Sequence, residues 1–156
     1  MPSRREMLCR SAHVATLLAA VGLFPQLAYA QAAPGFNVEA FAAKNMAEVM
    51  KALGGSAPAE SKDVSVTGPD IAENGAVVPI GASTALPGVK RLLILVEKNP
   101  SMLAAMFNVT DAIDANISTR VKMGQSSNVF AVAMMNDGKV LFAQKEVKVT
   151  LGGCGG

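Results

Sequence analysis

One cysteine stands between two glycine pairs in the run Gly152-Gly153-Cys154-Gly155-Gly156. The chemistry available there is that of a thiol: nucleophilic attack and covalent attachment of a group to sulfur. Glycine brings no side chain to pack and leaves φ and ψ almost unrestricted, so the run is predicted to form neither strand nor helix. It reads as a thin, mobile arm over 152–156 that carries a single sulfur, which suits a carrier better than an active site. Gly152, Gly153, Gly155 and Gly156 supply flexibility and clearance, and Cys154 is the predicted point of covalent substrate attachment. Three residues from Gly152 to Cys154 extend at most about 10 Å, enough to bring the sulfur into a partner's pocket.

An ordinary thiol titrates near pH 8.5, so about a few per cent is thiolate at neutral pH. A base would have to be histidine, lysine or a carboxylate near the sulfur. The chain's one histidine, His13, lies far away, and the nearest cations in sequence are Lys145 and Lys148. The terminal carboxylate of Gly156 opposes thiolate formation slightly. Cys154 is therefore expected to be a sluggish nucleophile that partner enzymes activate.

The beginning of the chain bears on compartment. Ser3-Arg4-Arg5-Glu6-Met7-Leu8 has the twin-arginine pattern, with Arg4 and Arg5 as its determinants, followed by an apolar run over 12–24 and the small-x-small sequence Ala28-Tyr29-Ala30. Residues 1–30 are predicted to be a cleaved twin-arginine signal peptide, which places the mature chain in a periplasm. The apolar run is too short for a stable membrane span. Cys9 and His13 leave with this segment, so the mature chain has one cysteine and no histidine. Arg4, Arg5 and Arg10 leave against Glu6, which turns fourteen basic and twelve acidic residues into eleven of each. That balance gives no electrostatic footprint for nucleic acid or for a membrane surface. An unpaired thiol in an oxidising compartment implies reactivity or pairing between molecules, and a Cys154–Cys154 disulfide dimer is expected.

The arm has to be held by a folded body, predicted as one domain over 31–151 with residues 31–36 a loose leader. Asn37 to Leu53 reads as one amphipathic helix, with Val38, Phe41, Ala42, Met46, Val49, Met50 and Leu53 on one face, Asn37 as N-cap and Gly54-Gly55 as its end. Beyond it the pattern changes to period two and short apolar runs. Strands are predicted around Val64 and Val66, at Ala76 to Ile80 (an edge strand or bulge because of Pro79), Lys90 to Glu97, Met102 to Val109, Ile117 to Met123, Val129 to Met135 and Lys139 to Thr150. Asn136-Asp137-Gly138 marks a hairpin turn. Six or seven short strands with turns between them suggest a mainly β fold, an antiparallel β-sandwich whose last strand runs into the glycine arm.

These features resemble the SoxY family of sulfur carriers from the periplasmic thiosulfate-oxidising system. The resemblance is carried by Val147-Lys148-Val149-Thr150 leading into the terminal pentapeptide, by Ile71-Ala72-Glu73-Asn74-Gly75 followed by Val78-Pro79-Ile80, and by Asn99-Pro100. It covers most of the mature chain, and the pentapeptide is its specific part. The resemblance implies an immunoglobulin-like sandwich paired as a heterodimer with a separately encoded SoxZ subunit. It also implies that Cys154 holds sulfur intermediates while they pass between enzymes: SoxAX, which joins thiosulfate to the cysteine, SoxB, which releases sulfate, and SoxCD, where present, which oxidises the remaining sulfane sulfur. On this reading the chain is a substrate carrier and not an enzyme. It needs no cofactor and no metal, only the sulfur bound to Cys154.

Two other carriers of chemistry compete. Ubiquitin-like sulfur carriers end in Gly-Gly and load a thiocarboxylate, but that needs ATP-dependent adenylation, which a periplasm does not offer, and it leaves Cys154 without a role. A periplasmic copper-binding module would use Met46, Met50, Met102, Met106, Met123, Met134 and Met135 with the cysteine; their apolar-periodic positions point instead to core filling. Asp111 and Asp114 are read as a solvated loop rather than a carboxylate pair, and Asn74-Gly75 as a tight turn that also suits a partner-facing loop. No nucleotide-binding loop, catalytic triad or zinc pattern is present in the sequence.

Overall fold

The computed structural model describes residues 37–150. These form two short helices, α1 (Val38–Ala42) and α2 (Met46–Leu53), and nine strands: β1 (Ala59–Glu60), β2 (Val64–Thr67), β3 (Ile71–Ala72), β4 (Val78–Thr84), β5 (Val89–Val96), β6 (Leu103–Asn108), β7 (Asn116–Val121), β8 (Ser127–Met135) and β9 (Val140–Val149). Seven of the nine are longer than two residues, as the period-two pattern predicts. One sheet runs β1-β9-β8-β5-β6 with β3 also paired to β9, and the other runs β2-β4-β7. The fold is mainly β, a two-sheet sandwich with a helical layer outside the larger sheet.

Strand alternation explains the layering. Leu92, Ile94 and Val96 of β5, with Val129, Ala131 and Ala133 of β8, face the smaller sheet and meet Val78, Ile80 and Ala82 of β4. The intervening Leu93, Leu95, Phe130, Val132 and Met134 face the other way, onto Ala40, Val49 and Met50 of the helices. A strand buried on both faces has no polar positions, which is why Leu92-Leu93-Ile94-Leu95-Val96 reads as an unbroken apolar run. Phe130 and Phe142 complete the helix side with an edge-to-face contact at 5.9 Å.

The single helix predicted over 37–53 is in fact two. Ala43 is extended at φ −62°, ψ 143°, and Asn45 caps α2 by accepting from the Glu48 N–H. Glu48 returns the contact, its carboxylate accepting from the Lys44 N–H at 2.9 Å, an arrangement close to a capping box. The break frees two carbonyls for the turn after β5: Phe41 accepts from the Ser101 hydroxyl and Ala43 from the Met102 N–H. It also moves Val38 off the apolar face and into solvent. The Asn37 side chain caps α1 through the Ala40 N–H and donates to the Ala52 carbonyl at 2.8 Å, so the two helices are tied end to end. Gly54 adopts a left-handed φ of 73°, and a side chain on Gly55 would collide with Val140 and Met134, so the pair serves two separate needs.

Two further departures concern pairing. Pro79 lies in β4, the middle strand of its sheet and not an edge. The proline is tolerated because β2 reaches only to Gly81, which pairs with Thr67, and Pro79 is opposed on one side alone, by Arg120. The sandwich is also not wholly antiparallel: β1 and β3 pair with β9 in parallel, at Leu141–Phe142 and Lys148–Val149. The hairpin at Asn136-Asp137-Gly138 forms as predicted, with Gly138 at φ 86° and Asp137 accepting from the Lys139 N–H.

Because Leu93 is fully buried between the sheet and the helical layer, Leu93→Ala is expected to lower unfolding stability by about 2–5 kcal/mol. Asn45→Ala removes one cap and should cost about 1 kcal/mol. Urea denaturation measures both, and a Leu93→Ala loss no larger than the cap's would show that the helices do not seal that face.

Candidate functional site

The predicted attachment residue Cys154, its neighbours Gly152, Gly153, Gly155 and Gly156, and the export residues Arg4 and Arg5 all lie outside the described residues. What the structure defines is the platform from which the cysteine run departs. β9 is paired with β8 along one edge and with β1 and β3 at parts of the other, and it ends at Val149, five residues before Cys154. Val147 is fully buried in the sandwich core, and Val149 packs against its rim.

The last residues of β9 are gripped from two sides. On one side, the Lys148 N–H donates to the Asp70 carbonyl at 2.9 Å and the Thr150 N–H donates to the Ala72 carbonyl at 3.1 Å. The Thr150 hydroxyl adds contacts to the carbonyls of Ala72 and Glu73, at 3.4 and 3.2 Å. On the other side, the Val149 N–H donates to the Ser126 hydroxyl at 2.9 Å, and Val147 pairs with Ser127 of β8. Every backbone N–H from Lys148 to Thr150 thus has a partner outside the strand's own antiparallel ladder. A segment held by three such bonds does not swing.

The grip exists because of the segment before β4. Gly68-Pro69 turns the chain out of β2, and Asp70 to Glu73 runs beside β9 with Ala72 buried. Asn74 then starts a turn: its side chain accepts from the Ala76 N–H at 2.8 Å, and its carbonyl accepts from the Val77 N–H. This is the tight turn read from Asn74-Gly75. The Gly75 carbonyl accepts from the Met123 N–H at 2.7 Å, which ties the turn to the end of β7. Asn99 braces the same end, donating to the Lys122 carbonyl at 2.6 Å.

The two lysines nearest in sequence to Cys154 are placed differently. Lys145 forms an ion pair with Asp70 at 2.9 Å. The hydrogen bond from Lys145, and then its charge, hold the exposed Asp70 carboxyl below the ordinary carboxylate range. Lys148 is exposed on the opposite face of β9, the face away from Val147. The lysine charge closest to the core side of the root is therefore already met by a carboxylate.

The remaining sequence candidates disperse. Met50, Met102 and Met134 are buried in the helix-side cluster with Met46 and Met106 against it, while Met123 is buried in the sandwich core with Met135 at its margin. They fill core rather than converge on one point. Asp111 and Asp114 are both exposed on the loop between β6 and β7. Among the described residues no three histidine, cysteine or acidic side chains group as metal ligands, and no helix is long and apolar enough to cross a membrane. Sequence reasoning missed Ser126 and Asp70 altogether. Ser126 sits in a plain polar loop, and its role appears only when β8 and β9 pair.

The family model described as "Sulfur oxidation protein SoxY" matches residues 49–154, a span that includes the whole root and Cys154. Among solved structures, the sulfur carrier protein SoxY from Chlorobium limicola f thiosulfatophilum is 34% identical, with a TM-score of 0.60, covering 67% of this chain and 96% of its own. A superoxide reductase (neelaredoxin) from Ignicoccus hospitalis is 14% identical with a TM-score of 0.49, over 55% of this chain and 78% of its own. No curated protein matches the chain.

Ser126→Ala removes the acceptor of the Val149 N–H, a net loss of about 1 kcal/mol, and should raise amide exchange at Val149 about fivefold while leaving β5 unchanged. Unchanged exchange at Val149 would show that this side of the grip is not needed. The lowered Asp70 pKa means that its pairing with Lys145 stabilises the root above the ordinary aspartate value of about 3.9 and is lost as pH falls through the lower folded value. An NMR titration of Asp70 is expected to show that low midpoint, and Lys145→Met should return it toward the solvated value.

Proposed function

The chain belongs to the SoxY family of sulfur oxidation proteins, and from that premise we propose that it carries sulfur intermediates covalently on Cys154. The observation that carries this reading is the match through residue 154 combined with the root geometry: a pinned strand end at Thr150, then a short glycine-rich run with the mature chain's one sulfur nucleophile. A carrier needs an anchored base, a short tether and a reactive group without bulky neighbours. Gly152, Gly153, Gly155 and Gly156 give the sulfur clearance to enter an enzyme.

The chemistry balances without a catalytic group from this chain. The Cys154 thiolate and thiosulfate join through a new S–S bond and release two electrons, which a haem enzyme of the SoxAX type accepts. Water then cleaves the terminal sulfonate, giving sulfate, two protons and a persulfide on Cys154, the hydrolase step assigned to a SoxB-type partner. Where a SoxCD-type dehydrogenase acts, the persulfide takes up oxygen from three waters and releases six electrons and six protons. A second hydrolysis then returns the thiolate. This chain contributes the sulfur atom and its presentation; it is a substrate carrier, not an enzyme, and needs no resident cofactor.

The same reading pairs it with a SoxZ subunit in a heterodimer and places it in the periplasm, exported through Arg4 and Arg5. Two copies would be linked by a Cys154–Cys154 disulfide under oxidising conditions. Neither nucleic acid nor membrane is proposed as a partner.

The deciding experiment is the intact mass of the mature protein from cells grown on thiosulfate, with and without a thiol reductant. A reducible sulfur adduct, absent from Cys154→Ser, is the expected result. An unmodified mass in repeated preparations with Cys154 open to alkylation would overturn the carrier reading.

A further inference from the structure

Cys154 stands four residues beyond Thr150, so a fully extended backbone carries it no further than about 14 Å from the pinned end of β9. If Cys154 is the attachment point, as proposed above, an enzyme that takes its sulfur into a catalytic centre has to rest on the surface immediately around Thr150. The tether is too short for any other face of the sandwich. That surface includes Ala72 and Glu73, whose carbonyls hold Thr150, and the Asn74–Val77 turn that follows them.

The segment exposes apolar side chains that the fold does not use. Four large hydrophobics are exposed among the described residues: Ile71 and Val77, at 58% and 51%, and Val38 and Ile113 elsewhere. Ile71 pairs in register with Lys148, directly before the root, and its side chain shares that strand face while neighbouring Ala72 is buried. Val77 lies on the far side of the turn, which returns it to within about 7 Å of Asn74. Its neighbour Val78 is fully buried. Single exposed hydrophobics are ordinary on protein surfaces, but these two stand at either end of the seven-residue segment whose Ala72 and Glu73 carbonyls hold Thr150. The charges around them are mixed. Glu73 and Lys148 are both exposed, and Asp70 is matched by Lys145, so no field of one sign marks this patch.

We propose that Ile71 and Val77 are the apolar anchors of a docking surface for the enzymes that load and unload Cys154. The complementary partner surface is an apolar rim around a channel whose catalytic centre lies within about 14 Å of that rim. This side presents no single-sign field to a partner, so long-range charge contributes little to docking here.

The test uses the mature chain with its natural partner subunit, thiosulfate and an extract of thiosulfate-grown cells. Two quantities are followed: the rate of adduct formation on Cys154 against carrier concentration, and the rate of Cys154 alkylation by iodoacetamide. The double variant Ile71→Ser/Val77→Ser is expected to raise the KM for carrier about tenfold with kcat and alkylation unchanged, while Val38→Ser/Ile113→Ser behaves as wild type. Wild-type KM in the Ile71/Val77 variant, or equal loss in both double variants, overturns the docking surface while adduct formation leaves the carrier reading standing. A change in alkylation confined to the Ile71/Val77 variant assigns those residues to root structure instead and also overturns it. Absence of any adduct on the wild-type chain removes the carrier reading itself, and the docking surface with it.

Discussion

The pairing of β9 on both its edges is the constraint from which the rest follows. β8 covers one edge along nearly its whole length, from Val140 to Val147, and the two-residue strands β1 and β3 cover the other near each end. A last strand with an open edge would fray at its end and would offer unpaired backbone to other chains. Here its terminal residues instead bond to Asp70, Ala72, Glu73 and Ser126. The parallel pairing of β3 places the Asn74–Val77 turn beside the root. It also buries Ala72 while leaving Ile71 outside. Two residues of parallel sheet thereby settle how the end of β9 is held and what surface surrounds it.

The larger architecture was legible because it rests on alternation. Leu92 to Val96 and Val129 to Met135 are apolar at every position, which strands manage only when both faces are covered, and the helices and the smaller sheet supply the two covers. The Asn136-Asp137-Gly138 hairpin was legible for a local reason, since the turn requires a positive φ and Gly138 provides it. The helix break was written in the sequence too, as Asn45 three residues ahead of Glu48, but apolar spacing across Ala43 to Asn45 masked it. The position of Pro79 and the existence of β1 and β3 could not be read locally. Each depends on where another strand ends: β2 at Thr67, or β9 alongside. Ser126 was invisible for the same reason, because its hydroxyl acquires a role only from the Val149 N–H that tertiary pairing brings to it.

The site divides in the same manner. The cysteine and its glycines are a matter of sequence, and nothing about their chemistry needs the fold. What the fold adds is negative information about activation and positive information about direction. Lys145, adjacent to the root and cationic, is engaged by Asp70 at 2.9 Å, and Lys148 faces away from the core side of β9. The methionines that could have offered soft ligands are spread across two hydrophobic clusters. Among the described residues, neither cations nor soft donors converge on the end of β9.

If Cys154 carries sulfur as proposed, a pinned root and a short tether impose a condition on the enzymes that handle it that a long linker would not. Effective concentration at a target site falls away once a tether cannot span the distance, and a tether of four residues beyond Thr150 has almost no slack to vary. Each enzyme that handles the same sulfur must then solve the same geometric problem, presenting its catalytic centre at a similar depth below a rim that accepts the same surface. The reaction types differ, from S–S bond formation to hydrolysis, yet the entrance cannot. Specificity among them has to come from the group already attached to the sulfur, since the carrier presents one face to all. On the proposed reading, a loaded carrier is then directed onward by its cargo alone.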